Sequence, residues 1–291
     1  MKNLRLRSVV LVSVAVLAAS TVLTVAPAAA QPGDHPGVDL EVYTGQVDPA
    51  GVQMMRELGV DAADVAGADS GSGATNEVEA VLSEAQAAKL RKAGVDLRVK
   101  TVDGVAASEV LRAQAAAGWQ SFRQYGAPGG IKDEIFAAGG AHPDIAKVVR
   151  VGWTTKGQEI LALKVTKDAT RIRDGRRPSV LYASAQHARE WITPEMTRRL
   201  MHHMLDGYGN NPEITDLVNT TELWFLPVAN PDGYDFTFTE GNRLWRKNLR
   251  DNNNDGAITN GDGVDLNRNF AVKWGYDNEG SSPDPSGETY R

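Results

Sequence analysis

The sequence predicts an α/β fold, a sheet with helices on both faces, preceded by a small ferredoxin-like α+β segment. From residue 148 onward, strand-like apolar runs at 148–153, 160–165, 180–184 and 223–228 alternate with helical patterns such as 194–205. Residues 40–99 read strand, helix, strand, strand, helix, strand, which is the ferredoxin-like order. The chain has 291 residues, 42% hydrophobic and 23% charged, enough for two globular units.

The elements follow from local chemistry. The first residues carry Lys2, Arg5 and Arg7, then an apolar run from Val9 to Ala19 and an Ala28-Ala-Ala30 end. This is the layout of a secretory signal over residues 1–30, so the protein is expected to be secreted and to keep no stable membrane anchor. A strand at 40–46 precedes a helix at 48–58 and a second extended segment at 60–65. Residues 66–75, rich in Gly, Ser and Ala, form a loop. Alternation at 77–82 marks a half-buried strand. Ser83-Glu-Ala-Gln86 is a capping box that starts a helix at 84–93, stopped by Gly94 before a last strand at 95–99. Residues 108–122 read as a connecting helix.

Composition excludes several functions. The chain has no cysteine, which removes thiol catalysis and disulfides, and no Gly-x-Ser-x-Gly elbow of a serine hydrolase. Its formal charge is −6, with residues 31–112 holding twice as many acidic as basic side chains, and no basic face suggests nucleic acid.

The sharpest chemical signal is His187-Ala-Arg-Glu190, an imidazole and a carboxylate three residues apart where an apolar strand gives way to a helix. That is half of a catalytic zinc site, which needs three protein ligands and an open position. By itself the spacing is equally compatible with a structural role. The helix is expected to start at Thr193-Pro-Glu195, with Thr193 as cap. His202 and His203 fall in its last turn, where imidazoles suit the negative dipole end; Met196, Leu200 and Met204 read as its buried stripe. A second metal signal is local. Residues 251–262 place Asp251, Asn253, Asp255, Thr259 and Asp262 at the donor positions of an EF-hand loop, with Gly256 at its sharp turn, so calcium is a candidate cofactor. An Asn-rich solvated loop is the alternative. Asn230-Pro-Asp-Gly-Tyr234 reads as a turn without catalytic role.

With His187-Ala-Arg-Glu-Trp-Ile192 come Asn230-Pro-Asp-Gly-Tyr234, Asn242-Arg-Leu-Trp-Arg-Lys247, Val264-Asp-Leu-Asn-Arg-Asn269 and Gly287-Glu-Thr-Tyr290, in that order. From about Phe122 to the last residue this series resembles the zinc metallocarboxypeptidases, the funnelins. The resemblance implies a mixed sheet of metallocarboxypeptidase type, left incomplete, and zinc held by His187 and Glu190. It implies Arg246 as the catalytic residue facing the scissile carbonyl oxygen, and Asn267 and Arg268 gripping the substrate's C-terminal carboxylate. Arg189 takes an outer docking role; it could equally orient Glu190. It also implies that residues 31–112 are an inhibitory prosegment and 113–291 the N-terminal part of the catalytic domain, with peptide or protein C-termini as substrate and an activating protease as partner. Arg112 is a candidate processing point.

The family places its second zinc His, a substrate-closing Tyr and its general-base Glu beyond Arg291. The chain is therefore expected to be truncated within the catalytic domain, inactive as it stands, and prone to fold poorly or aggregate. Two further readings remain open at this point: a cell-wall stem-peptide peptidase of the same family, and a non-catalytic secreted calcium- or peptide-binding protein.

Overall fold

A computed structural model describes residues 38–61, 76–116 and 122–291, all within one compact unit spanning His35–Arg291. The expected signal, the loop at 66–75 and most of the extended segment at 60–65 lie outside the described residues. The first sheet contains β1 (Leu40–Val47), β2 (Asn76–Ser83) and β3 (Asp96–Val99), antiparallel in the order β2-β1-β3, with α1 (Pro49–Glu57) and α2 (Glu84–Lys92) between them in sequence. Val60 and Asp61 belong to no strand, so among the described residues this sheet has three strands where the ferredoxin-like order would give four.

Local signals account for these elements. Asp48 caps α1 by accepting from the Gly51 amide, and Pro49 fits its first turn. The Ser83 and Gln86 capping box forms in both directions. Alternation in β2 buries Val78, Ala80 and Leu82 against Met55 and Leu90 of the helices. The opposite face carries Leu40, Val42 and Val81, which pack on Ala107, Leu111 and Leu244. One face of the small sheet thus builds its own core, and the other covers the Asn242–Lys247 region. A short hairpin, β4 (Thr101–Val102) and β5 (Val105–Ala106), leads into α3 (Ala107–Ala116).

The second sheet follows α4 (Ile131–Ala141). It has the order β6-β7-β9-β8, from β6 (Ala146–Trp153), β7 (Glu159–Val165), β8 (Ser179–Ala183) and β9 (Glu222–Leu226). The first three are antiparallel neighbours, while β8 runs parallel to β9, which makes the sheet mixed. α5 (Ile192–Gly207), α6 (Pro212–Thr220) and α7 (Pro231–Phe236) complete it. Leu161, Leu163 and Phe225 of the sheet pack with Ile135 of α4, Met201 of α5 and Val218 of α6.

Three local expectations are corrected. The cap of α5 is Trp191 in helical conformation, so Thr193 already lies inside the first turn, and its hydroxyl serves the chain instead by accepting from the Ala185 amide. The buried face of α5 centres on Thr197, Met201 and Leu205; Leu200 and Met204 are half-buried and pack against the same core, but Met196 is 61% exposed. Asn230-Pro-Asp-Gly-Tyr234 opens the short helix α7, capped by Asn230, because Asn followed by Pro fits a helix start as well as a turn. Among the described residues no helix is long and apolar enough to cross a membrane.

Among the described residues β8 pairs only with β9, and it exposes Val180 and Leu181, the latter 62% accessible. A strand with a free edge and apolar side chains templates association. Leu181→Lys is expected to suppress concentration-dependent self-association, read by light scattering, while leaving the circular dichroism spectrum unchanged; equal scattering by both proteins would place the sticky surface elsewhere.

Candidate metal and substrate site

The loop between β8 and α5 carries His187 and Glu190. It starts from Ala185, whose φ of 47° is left-handed, an uncommon state for a residue with a Cβ. Its amide donates to Thr193 Oγ1 and its carbonyl accepts from the Asn230 amide, which hold the turn in that state. His187 Nδ1 and Glu190 Oε1 converge to 2.7 Å. The other ring nitrogen, Nε2, is buried and 3.4 Å from Asp265 Oδ1, close enough for an ionic interaction but without hydrogen-bond geometry. Burial works against the imidazolium, yet Asp265 and Glu190 outweigh it and hold its pKa above the ordinary value.

This donor set fits zinc as far as it goes. One imidazole nitrogen and one carboxylate oxygen face a common point, and a carboxylate stands behind the remote ring nitrogen, as metal-binding histidines require. His187 Nδ1 and Glu190 would be the ligand pair. Among the described residues no third His, Cys, Asp or Glu joins them. His202 is spent elsewhere, its Nε2 lying 2.7 Å from Glu134 Oε1.

Asp265 is fully buried and joins the rest. Its Oδ2 accepts from Arg246 Nε at 3.1 Å and Nη2 at 3.0 Å, and its Oδ1 accepts from the Asn267 amide at 2.8 Å. That last bond caps the 3-10 turn Leu266–Arg268, which carries the Asn267 and Arg268 pair. Burial raises the cost of its charge, but His187, Arg246 and Arg268 outweigh it and hold its pKa below the carboxylate range. Arg246 is 4% exposed.

A further carboxylate enters from the small sheet's side. Asp61 accepts from Arg246 Nη2, and from Arg268 Nη2 at 3.2 Å. Arg268 also donates to the carbonyls of Gly280 and Asn267. The approach is fixed by backbone docking: the Gly59 carbonyl accepts from the Thr289 amide and hydroxyl at 3.2 and 3.1 Å. Gly59 has φ 78°, and a Cβ there would come within 2.9 Å of Gly287 Cα. Gln86 donates to the Ser286 carbonyl and the Val38 amide to Asn242 Oδ1.

Arg189 forms a two-pronged pair with Glu288 and donates to the Leu244 carbonyl. Arg243 donates to the Arg189 carbonyl and lies 3.8 Å over the Trp191 ring, flanking Glu190 on both sides in sequence. Lys247 is buried, donating to the carbonyls of Asn260 and Pro285, and burial pushes its ammonium down to about 8. Sequence reasoning did not single out Asp61, Asp265 or Glu288. Only Asp265 had a signal, since an Asp two residues before Asn267 is a ready cap for the turn.

The loop at 251–262 does not gather its carboxylates. Asp251 accepts from the amides of Asn254 and Gly256, and Asn253 and Asp255 bond each other at the exposed tip. Asp262 is buried and turned to the amides of Asn252 and Thr259 and the Thr259 hydroxyl. Calcium gains no support from this placement: backbone amides occupy the carboxylate expected to close the site.

The sequence profile of the zinc carboxypeptidases matches residues 131–291. Among curated proteins, the zinc carboxypeptidase of Saccharothrix mutabilis subsp. capreolus is 36% identical over 135 residues, 46% of this chain and 29% of that protein. Metallocarboxypeptidase A of Trichophyton tonsurans is 37% identical over 146 residues, 50% of this chain and 32% of that one. The chain thus spans under a third of these relatives' length. Among solved structures, carboxypeptidase A from Helicoverpa armigera superposes with a TM-score of 0.63 at 25% identity, covering 88% of this chain and 63% of that one. Thrombin activatable fibrinolysis inhibitor, with a TM-score of 0.60 at 21% identity over 86% of this chain and 63% of that one, shares the fold.

Asp265→Asn should lower the unfolding free energy by about 3 kcal/mol, since it leaves Arg246 buried without its main counter-charge. The native pKa of Asp265 lies below its unfolded value, so its stabilisation is present above pH ~4 and lost as pH falls through the native value. Urea unfolding from neutral to acid pH should therefore show a shallower acid decline in the variant. Identical curves would exclude Asp265 as the site's electrostatic hub.

Proposed function

Because the chain belongs to the zinc carboxypeptidase family, we propose that residues 113–291 form the part of a secreted carboxypeptidase's catalytic domain that binds the substrate C-terminus, and residues 31–112 its inhibitory prosegment. The observation that carries this reading is the Asp61 carboxylate between Arg246 and Arg268. A carboxylate held by two guanidinium groups is what a peptide C-terminus would offer the same pair.

In this reading Asn267 and Arg268 receive the terminal carboxylate, and the requirement for that anion makes the enzyme exo-acting. Arg246, immobilised by Asp265, faces the carbonyl oxygen as negative charge develops there; a preoriented cation in a buried site needs no reorganisation during reaction. Asp265 also fixes the His187 ring so that Nδ1 points toward Glu190. Zinc, when bound, supplies Lewis-acid polarisation of the carbonyl and lowers the pKa of a water molecule. The described residues provide His187 and Glu190 as two of the three protein ligands that a catalytic zinc uses.

Release of the prosegment requires that Asp61 leave the arginines, which a protease cutting between the two parts would favour. Arg112, the candidate cleavage point, is exposed but lies within α3, so cutting there needs local unwinding of the helix.

The test is binding of N-acetyl-L-phenylalanine, a free carboxylate, to the full chain by isothermal titration. Asp61→Ala should bind at least about tenfold more tightly than the parent, a gain near 1.4 kcal/mol, and Asp61→Ala combined with Arg268→Ala should lose the gain. Equal affinity in parent and Asp61→Ala would overturn the inhibitory reading.

A further inference from the structure

We infer that Asn230 is a positioning residue of this site: its buried carboxamide ties the loop that carries His187 to the segment that carries Arg246. The inference rests on the carboxypeptidase reading for the roles of those two residues, but its geometry stands independently.

Asn230 Nδ2 donates to the carbonyl of Gln186, the residue before His187, at 3.3 Å, and to the carbonyl of Lys247, the residue after Arg246, at 3.0 Å. Its Oδ1 accepts from the Gly233 amide at 3.1 Å. The amide nitrogen thus directs both its hydrogens to backbone of the two segments, while the oxygen caps α7. The backbone adds a third tie, because the Asn230 amide donates to the carbonyl of the left-handed Ala185. Next to this bridge the two segments bond directly, the Ala188 amide donating to the Arg246 carbonyl at 2.9 Å.

The surrounding residues make the bridge rigid. A Cβ on Gly233 would fall 2.5 Å from the Lys247 carbonyl and 2.6 Å from Asn230 Nδ2, so glycine is needed for the segment to approach. Asp232 anchors the start of α7 to the turn at 154–158, accepting from the Thr154 hydroxyl, the Lys156 amide and Gln158 Nε2. Asn230 itself is 2% exposed, so water cannot replace its two donors readily. Asp, Ser and Asn all cap helices, but only Asn at this position can cap with oxygen and also donate twice to carbonyls. The chemistry selects asparagine for the bridge rather than for the cap.

That difference provides the test. Asn230→Asp and Asn230→Ser keep an oxygen for the Gly233 amide and break the double bridge: ionised aspartate deletes both donors, and serine leaves one hydroxyl hydrogen on a shorter side chain that cannot serve both carbonyls, without placing a charge beside them. Hydrogen exchange of the full chain is followed at the Ala188 amide and, as reference, at Leu163 in β7, and zinc affinity is measured by competition with a chromophoric chelator. Either variant should exchange Ala188 at least tenfold faster than the parent with Leu163 unchanged, and should weaken zinc binding where the parent binds it. If Ala188 is unchanged, or if both amides accelerate by the same factor, Asn230 only stabilises the fold and the inference fails. Should Asn230→Asp not fold, Asn230→Ser decides alone. Exchange needs neither zinc nor substrate, so a failed carboxypeptidase reading would leave this result interpretable.

Discussion

A single buried carboxylate, Asp265, sets the geometry on which the site depends. Removing a carboxylate from water costs several kcal/mol unless charge and hydrogen bonds replace the solvent. Here the replacement comes from Arg246, from the Asn267 amide and from the facing His187 ring. Each partner belongs to a different functional element, so neutralising one carboxylate places a metal donor, a cation for the carbonyl oxygen and the carboxylate-gripping turn relative to one another. The backbone enforces this convergence. Asn248 and Val264 bond each other across the two segments, and Gly263, at φ 72°, passes so close that a Cβ would lie 2.3 Å from the Asn248 carbonyl. The Asp265 amide donates to the Tyr290 carbonyl, which draws the Gly287-Glu-Thr-Tyr290 segment to the same centre.

The cations around that centre explain the way the small sheet is held. Arg189 is satisfied by Glu288 and Lys247 by two carbonyls, which leaves the face between Arg246 and Arg268 as the place that accepts Asp61. An isolated ion pair at a surface contributes little, since solvent screens it and long side chains lose entropy. Asp61 is different because the Gly59 carbonyl, bonded to Thr289, fixes its backbone two residues away. The acidic excess of residues 31–112 is thus put to use at one point, while most of it remains on the solvated face.

What the sequence made legible was local. The alternation of Val78, Ala80 and Leu82, the Ser83 to Gln86 box and the ordered motifs from His187 to Tyr290 depend on near neighbours in the chain, and their spacing survives without knowledge of the fold. Asp61 and Asp265 lie 185 and 19 residues from Arg246, and their pairing is tertiary, so no periodicity announces it. The apolar spacing of Met196, Leu200 and Met204 locates only the edge of the buried face of α5: Leu200 and Met204 pack against the core, but the face centres on Thr197, Met201 and Leu205, and with each residue turning the helix by about 100° Met196 falls in solvent. Residues 251–262 have donors at metal-binding spacing, but spacing does not say where a carboxylate points, and Asp262 points to backbone amides. Asn230 is ambiguous for the same reason in reverse: Asn-Pro-Asp-Gly satisfies both a turn and a helix start, and the bond to Lys247 that distinguishes its role appears only when distant segments meet.

Under the proposed zymogen reading, tethering explains how one carboxylate can oppose a substrate that has better contacts. A segment joined to the site by its own chain presents its carboxylate at an effective concentration in the mM range, without the loss of translational freedom that a free peptide suffers. Cutting the chain removes that advantage without altering any contact, so Asp61 then competes as an ordinary weak anion. A single Asp is also a partial mimic: it satisfies Arg268 and Arg246 together, but places no scissile bond beside His187 and Glu190. It therefore blocks the arginines while giving the site nothing to cleave, and the two guanidinium groups that it occupied become available to a peptide C-terminus once it departs.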